Sequence, residues 1–203
     1  KTVTSAEEGP TVSVMAASWS DVERDVVALD RSVYAAIAET PTPTLDVALR
    51  RLSDAADNSK IWLAIAAGIA AVGGSEGRRT AALGVAAIGI TSATVNLAGK
   101  RLFDRARPDR AGADVPVLRQ VRMPTSTSFP SGHSASAFAF ANAVGGQWPV
   151  AGFPLRALAT AVAYSRVHTG VHFPSDVIIG SIIGAAIGDV VTAVGRRYWT
   201  KPL

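Results

Sequence analysis

Five stretches rich in Ala, Gly, Ile and Val, residues 61–74, 81–99, 133–150, 151–167 and 177–194, dominate the chain and are joined by short, charged connections. A bilayer crossing takes roughly 20 apolar residues, with about 17 at the low end. The second and fifth stretches meet that length, the first is short, and the fourth contains Arg156. Taken together, they favour an all-α integral membrane bundle of about five to six helices over the buried helices of a soluble protein. Composition agrees: only 18% of the residues are charged and 48% are hydrophobic, against about 25% charged in ordinary soluble domains. Alternating strand patterns and Asn-Gly hairpins are absent from the sequence. Gly180, Gly184 and Gly188 form a small-residue ladder that lets helices approach closely in lipid, and packing within one bundle explains it better than a dimer seam.

Ahead of this core lie gentler segments. Residues 1–19 read as a flexible segment, followed by one domain over 20–200. Ser20 and Glu23 have capping-box spacing, and Val22, Val26, Leu29, Val33 and Ile37 recur at helical intervals. A second amphipathic stretch carries Leu45, Ala48, Leu49, Leu52 and Ala55 on one face, so amphipathic helices are expected over 20–57 and the membrane core over 60–195. No basic region leads into an early apolar run, so no signal peptide is expected. With no cysteine, disulfides, zinc–thiolate sites and thiol nucleophiles are excluded. A net charge of +4 suits a membrane surface or phosphate-bearing substrates, and no nucleic-acid motif accompanies it.

Polar residues cluster where apolar stretches end: Lys100 to Pro108, Pro130 to His133, and Ser165, Arg166, His172 and Asp176. If each stretch spans, the second ends, the third begins, the fourth returns and the fifth departs on one membrane face, so the three clusters meet there. Lys100, Arg107 and Arg166 are enough cationic charge to neutralise a phosphate dianion. Ser131 and Gly132 open a helix, where free N–H groups also favour an anion. All three histidines, His133, His168 and His172, fall in this region. His172 with Asp176 offers a nucleophile and its orienting carboxylate, and His133 a general acid. This set performs phosphoryl transfer with no metal or cofactor. In isolation, Lys100, Arg101 and Arg105 also read as interfacial anchors, and Pro130 to Gly132 as a turn and N-cap. His168, His172 and Asp176 stand at i, i+4 and i+8 like a metal-binding helix face, which Pro174 opposes.

Lys100, Arg107-Pro108, Pro130-Ser131-Gly132-His133 and Ser165-Arg166 with His172 and Asp176 together resemble the signature of the type 2 phosphatidic acid phosphatase (PAP2) superfamily, without substitution at its eleven defined positions. The resemblance covers roughly residues 60–195 and implies roles for these positions. His172 becomes the nucleophile that forms a phosphohistidine, Asp176 its hydrogen-bond partner, and His133 the acid for the leaving oxygen. Lys100, Arg107, Ser131, Gly132 and Arg166 become the phosphate clamp. Membrane members usually carry six transmembrane helices, and here the amphipathic helix near residues 20–39 takes the first place.

The expected activity is hydrolysis of a phosphomonoester or diphosphate of a membrane lipid. An Arg- and Ala-rich, Lys-poor composition points to an actinobacterial source and favours a polyprenyl-linked cell-envelope lipid, with phosphatidate and phosphatidylglycerol phosphate as alternatives. Rival readings are a vanadium-dependent haloperoxidase, a soluble acid phosphatase of the same superfamily, and a non-catalytic lipid-phosphate binder or transporter. Expected partners are the bilayer and a lipid phosphate, with a homo-oligomer or fusion to a lipid kinase domain as further arrangements. Arg78-Arg79 and Arg196-Arg197 at the other face place the site outward across a bacterial plasma membrane by the positive-inside rule. Asp189 is expected to pair with Arg196 or another basic residue at that end, Asn96 and Asn142 to bond between helices, and Trp62, Trp148 and Trp199 to lie at the interfaces. The loop from Asp109 to Phe129 reads equally as a cap on the site and as plain connection.

Overall fold

The computed structural model describes residues 18–199, excluding the side chains of Ala98, Lys100 and Trp199. The flexible segment expected over 1–19 therefore lies almost entirely outside the described residues, as does the side chain of Trp199. Among the described residues every regular element is helical: α1 (Trp19–Glu39), α2 (Pro43–Ala55), α3 (Lys60–Val72), α4 (Gly74–Thr94), the single turn α5 (Lys100–Leu102), α6 (Gly132–Gln147), α7 (Pro149–His168) and α8 (Pro174–Trp199).

The core is built around α6, which packs against α4, α7 and α8. Its small residues make this central position workable: Ala135, Ala137, Ala139, Ala141 and Ala143 are all fully buried. Gly180, Gly184 and Gly188 of α8 face the α6 backbone, and a Cβ at Gly180 or Gly188 would stand 2.5 Å from the carbonyl oxygen of Ser131 or Ala139. The ladder is thus an intramolecular seam. Trp62 is not an interfacial residue: it is 1% exposed and lies against Phe140 with ring centroids 5.5 Å apart. Space opposite a small-residue helix has to be filled by a large side chain, and Trp62 fills it.

Among the described residues, two helices, Gly74–Leu97 and Pro174–Tyr198, are long and apolar enough to cross a bilayer. They correspond to the second and fifth apolar stretches. The 13 residues of α3 extend only about 20 Å, and α6 is enclosed by its neighbours.

Both N-terminal helices dock through polar residues, and the first begins earlier than its expected cap. The cap of α1 is Ser18, not Ser20: Ser18 N–H donates to Asp21 Oδ2 at 3.1 Å and Asp21 N–H to Ser18 Oγ at 3.3 Å. Asp21 satisfies the capping box two residues early, which leaves Ser20 inside the helix. The apolar stripe Val22, Val26, Leu29 and Val33 stays exposed, whereas Asp30, Tyr34 and Ala38 are buried. In α2 the buried residues are Asp46 and Ser53 rather than the apolar face. Arg119, from the 109–129 loop, explains much of this. It is fully buried and donates to Asp46 Oδ1 (2.8 Å), to the carbonyls of Ile37 (2.9 Å), Ala38 (3.2 Å) and Thr40, and to Thr42 Oγ1 (3.2 Å). The loop therefore clasps the α1–α2 corner, and plain connection does not describe it.

At the far end of the bundle, Asp189 accepts from Asn142 Nδ2 at 3.0 Å, and Asn142 Oδ1 accepts from Arg156 Nε at 2.9 Å. Asn142 bonds between helices as expected. Asp189 finds this neighbour rather than Arg196, which donates to the Gly146 carbonyl.

Candidate active site

The motif residues converge at the end of the bundle where α4 and α7 finish and α6 and α8 begin. Helix α7 stops at His168, and Gly170 takes φ +73°, the left-handed conformation that suits glycine after a helix end. The turn is fixed by the N–H groups of Val171 and His172, which both donate to the Arg166 carbonyl, at 3.1 and 3.2 Å. Pro174 then starts α8. Consequently His168, His172 and Asp176 share no helical face, and His168 Nε2 lies instead 3.1 Å from Asp46 Oδ1.

His172 is 2% exposed. Its Nδ1 lies 3.4 Å from Asp176 Oδ2, and its Nε2 lies 3.3 Å from Arg107 Nη1. Burial pushes the imidazole pKa down to about 4, the Arg107 and Arg166 charges push the same way, and Asp176 opposes them. The ring is therefore neutral at pH 7, and a proton on the nitrogen facing the carboxylate leaves the other lone pair directed at the guanidinium.

Asp176 is itself tightly held. It accepts from Ser128 Oγ, from Phe173 N–H at 2.8 Å and from Arg105 Nη1 at 2.7 Å. Arg105 continues to Asp30 of α1, whose other oxygen accepts from Ser175 N–H at 2.8 Å. Ser131 N–H donates to the Asp176 carbonyl at 3.0 Å, joining the start of α6 to the start of α8.

The cations are positioned by backbone. Arg107 donates from Nε to Ser126 O (2.8 Å), from Nη1 to Val171 O (2.8 Å) and from Nη2 to Thr127 O (3.1 Å). Its pKa is lowered, first by burial, with the Asp176 charge opposing. Arg166 is 1% exposed, donates from Nη1 to Ser53 Oγ and stands 3.8 Å from Asp57 Oδ1. Its Nε has no hydrogen-bond partner within the protein. A buried guanidinium N–H left unspent is costly unless an anion meets it.

His133 sits on the first turn of α6, with Nε2 2.8 Å from Asp57 Oδ1. The hydrogen bond to His133 holds the Asp57 carboxyl below the usual carboxylate range, against the opposing effect of burial. Ser131 is the N-cap of α6, with its Oγ accepting from Ser134 N–H at 3.4 Å. Gly132 is the first residue of that helix, where N–H groups lack intrahelical partners. The side chain of Lys100 lies outside the described residues, although its backbone in α5 follows the π-helical turn Val95–Gly99 that continues α4.

His172, Asp176, Arg107, Ser131 and Gly132 thus lie around one spot, with Arg166 and His133 linked through Asp57. Sequence reasoning missed Asp57, Asp30, Ser53 and Ser128, which belong to no motif. It gave Arg105 only an anchoring role, whereas the side chain bridges Asp30 and Asp176.

The site is thus a buried imidazole–carboxylate pair with arginines gathered at the helix ends of an all-helical bundle. The PAP2 superfamily model matches residues 80–199, and the chain belongs to that superfamily. It is 35% identical over 162 residues to the decaprenylphosphoryl-5-phosphoribose phosphatase of Mycolicibacterium smegmatis, covering 79% of this chain and 84% of that protein. The Mycobacterium tuberculosis protein of the same name is 41% identical over 97 residues, 47% of this chain. That match spans about half the relative's length (51%). Among solved structures, the transmembrane PAP2 type phosphatidylglycerolphosphate phosphatase of Bacillus subtilis superimposes with a TM-score of 0.70 at 22% identity, covering 88% of this chain and 90% of that one. That likeness carries the fold, an all-α helical bundle.

Proposed function

We propose that this protein is a lipid-phosphate phosphatase that works through a phosphohistidine. The observation that carries the proposal is the neutral, buried His172, with Arg107 3.3 Å from one ring nitrogen and Asp176 3.4 Å from the other. The Nε2 lone pair attacks phosphorus as the bond from phosphorus to the leaving oxygen breaks. His133 gives that oxygen a proton. Asp176 stabilises the positive charge on the phosphorylated ring, as a buried carboxylate does beside any imidazolium. Arg107, Arg166, Lys100 and the Gly132 N–H neutralise the three equatorial oxygens. Ser131 caps the helix that supplies this N–H. Water then attacks the phosphohistidine, giving a proton back to His133 and releasing phosphate.

The substrate we favour is a polyprenyl-linked envelope lipid. Support comes from the mycobacterial relatives' names and from a site at helix ends, where a headgroup meets it while its tail stays in hydrocarbon. We place the site on the outer face of a bacterial plasma membrane, on the strength of the opposite-face arginines. Phosphate release by detergent-purified protein, measured across polyprenyl-linked phosphates, phosphatidate and phosphatidylglycerol phosphate, tests the reading. Turnover is expected to persist in a metal chelator and to vanish in His172→Ala and His133→Ala. Undiminished turnover in His172→Ala overturns the mechanism.

A further inference from the structure

Asp30 belongs to α1, outside residues 80–199 that the superfamily model matches, yet it is 3% exposed and reaches the start of α8. Its Oδ1 accepts from Ser175 N–H at 2.8 Å, and its Oδ2 accepts from Ser175 Oγ and from Arg105 Nη2 at 2.5 Å. The other arm of the same guanidinium, Nη1, donates to Asp176 Oδ1 and to Ser175 Oγ, both at 2.7 Å. The Phe173 ring lies under it, 4.5 Å from centroid to guanidinium carbon. Arg105 therefore holds one carboxylate on each arm. Asp30, Arg105 and Asp176 form a row of alternating charge, and the row ends at the ring of His172.

Asp176 faces two ways. Its Oδ2 lies 3.4 Å from His172 Nδ1, and its Oδ1 takes the hydrogen bond from Arg105. Charges a few ångströms apart interact strongly where water is excluded, so an unbalanced Arg105 would cancel much of what Asp176 offers the ring. With Asp30 present, the Asp30 and Arg105 charges sum to zero and Asp176 keeps a net negative charge for His172. Packing alone does not call for this row, because apolar side chains in place of a buried ion pair are often as stable or more so.

We infer that Asp30 and Arg105 are positioning residues for the phosphoryl transfer, Arg105 fixing the Asp176 carboxylate and Asp30 neutralising Arg105. The inference rests on the phosphatase reading and deepens it. The bond from Nε2 to phosphorus forms as the bond from phosphorus to the leaving oxygen breaks, and that oxygen takes the His133 proton. The ring, still protonated at Nδ1, becomes positive. Asp176 meets that charge, so Asp30 acts on formation of the phosphohistidine and not on substrate binding.

The test measures phosphate release by detergent-purified protein from polyprenyl-linked phosphates, phosphatidate and phosphatidylglycerol phosphate. Asp30→Asn keeps the shape and still accepts from Ser175 N–H, but leaves Arg105 with one carboxylate. It is expected to lower kcat about tenfold, the worth of one hydrogen bond to a charged group, with KM within twofold of wild type. Arg105→Lys keeps the charge and gives up the fork that spans both carboxylates, and a similar loss is expected. Adding Arg105→Gln to Asp30→Asn removes the unbalanced charge, so the double variant is expected to be about threefold faster than Asp30→Asn. A merely structural role makes the double variant slower still. A double variant no faster than Asp30→Asn, a loss carried by KM, or a kcat within twofold of wild type in either single variant overturns the inference while the phosphatase reading stands. If wild-type protein releases phosphate from none of the three substrates, both readings fall.

Discussion

Replacing Arg119 with leucine is expected to unfasten the N-terminal helices from the site. The guanidinium is fully buried and makes five donor contacts, one to the Asp46 carboxylate and four to the α1–α2 corner. Leucine keeps much of the packing but leaves three carbonyls unpaired, and Asp46, 5% exposed, retains only Thr42 and His168. Burial raises the Asp46 carboxyl pKa, yet Thr42 and Arg119 outweigh it and keep the group ionised. Breaking a buried pair from one side costs about 3–5 kcal/mol, equivalent to roughly 10 °C in Tm for a chain of this size. Differential scanning fluorimetry in detergent reads it. Adding Asp46→Asn removes the stranded charge, so the double variant is expected to lose about 1–3 kcal/mol less than the two single costs summed. Strict additivity, or a Tm change under about 2 °C for Arg119→Leu, refutes the clasp.

Asp57→Asn removes the carboxylate 2.8 Å from His133 and 3.8 Å from Arg166. A fall in kcat of about 10²-fold is expected, with the alkaline limb of the pH–rate profile moving to lower pH because the imidazolium loses its counter-charge; an unmoved limb rules out a positioning role. His172 is expected to stay neutral down to about pH 5, its pKa having been carried to about 4 by burial first; imidazole nitrogen shifts in ¹⁵N NMR check this, and titration near 6.5 contradicts it. Since the folded value is depressed, the unfolded chain binds the extra proton, so this group's contribution, about 3 kcal/mol, is complete above pH 6.5 and lost as pH falls toward 4. Gly184→Ala puts a methyl group against the Ala135 carbonyl, and overpacking of about 1–3 kcal/mol is expected to lower Tm and, through the Ser131–Asp176 bond, kcat. Gly89→Ala, which meets nothing within 4 Å, is the matched control.

What was legible in the sequence and what was not divides along one physical line. Phosphate chemistry prescribes residue types at helix ends, so Arg107, His133, Arg166, His172 and Asp176 stand out however the rest of the chain packs. Likewise the α8 glycines are readable because close backbone approach admits no other residue. The periodicity of the N-terminal helices gives two unlike faces but does not say which one docks. Periodicity reports that two faces of a helix differ, and burying the apolar face is a rule for protein surrounded by water. Next to a bilayer the apolar stripe of α1 can remain uncovered by protein. The docking face is then free to carry Asp30, Asp46 and Ser53, with Asp57 in the turn that follows α2. These contacts join Asp30 to Arg105, Asp46 to Arg119 and Ser53 to Arg166 across 75, 73 and 113 residues of chain, beyond any local pattern. Asp30 and Ser53 meet arginines at the motif, and Asp46 meets Arg119 of the 109–129 loop. The two helices therefore contribute by pairing with arginines that reach the site or the loop beside it, and their polar residues, not their apolar stripes, are where sensitivity to substitution is expected.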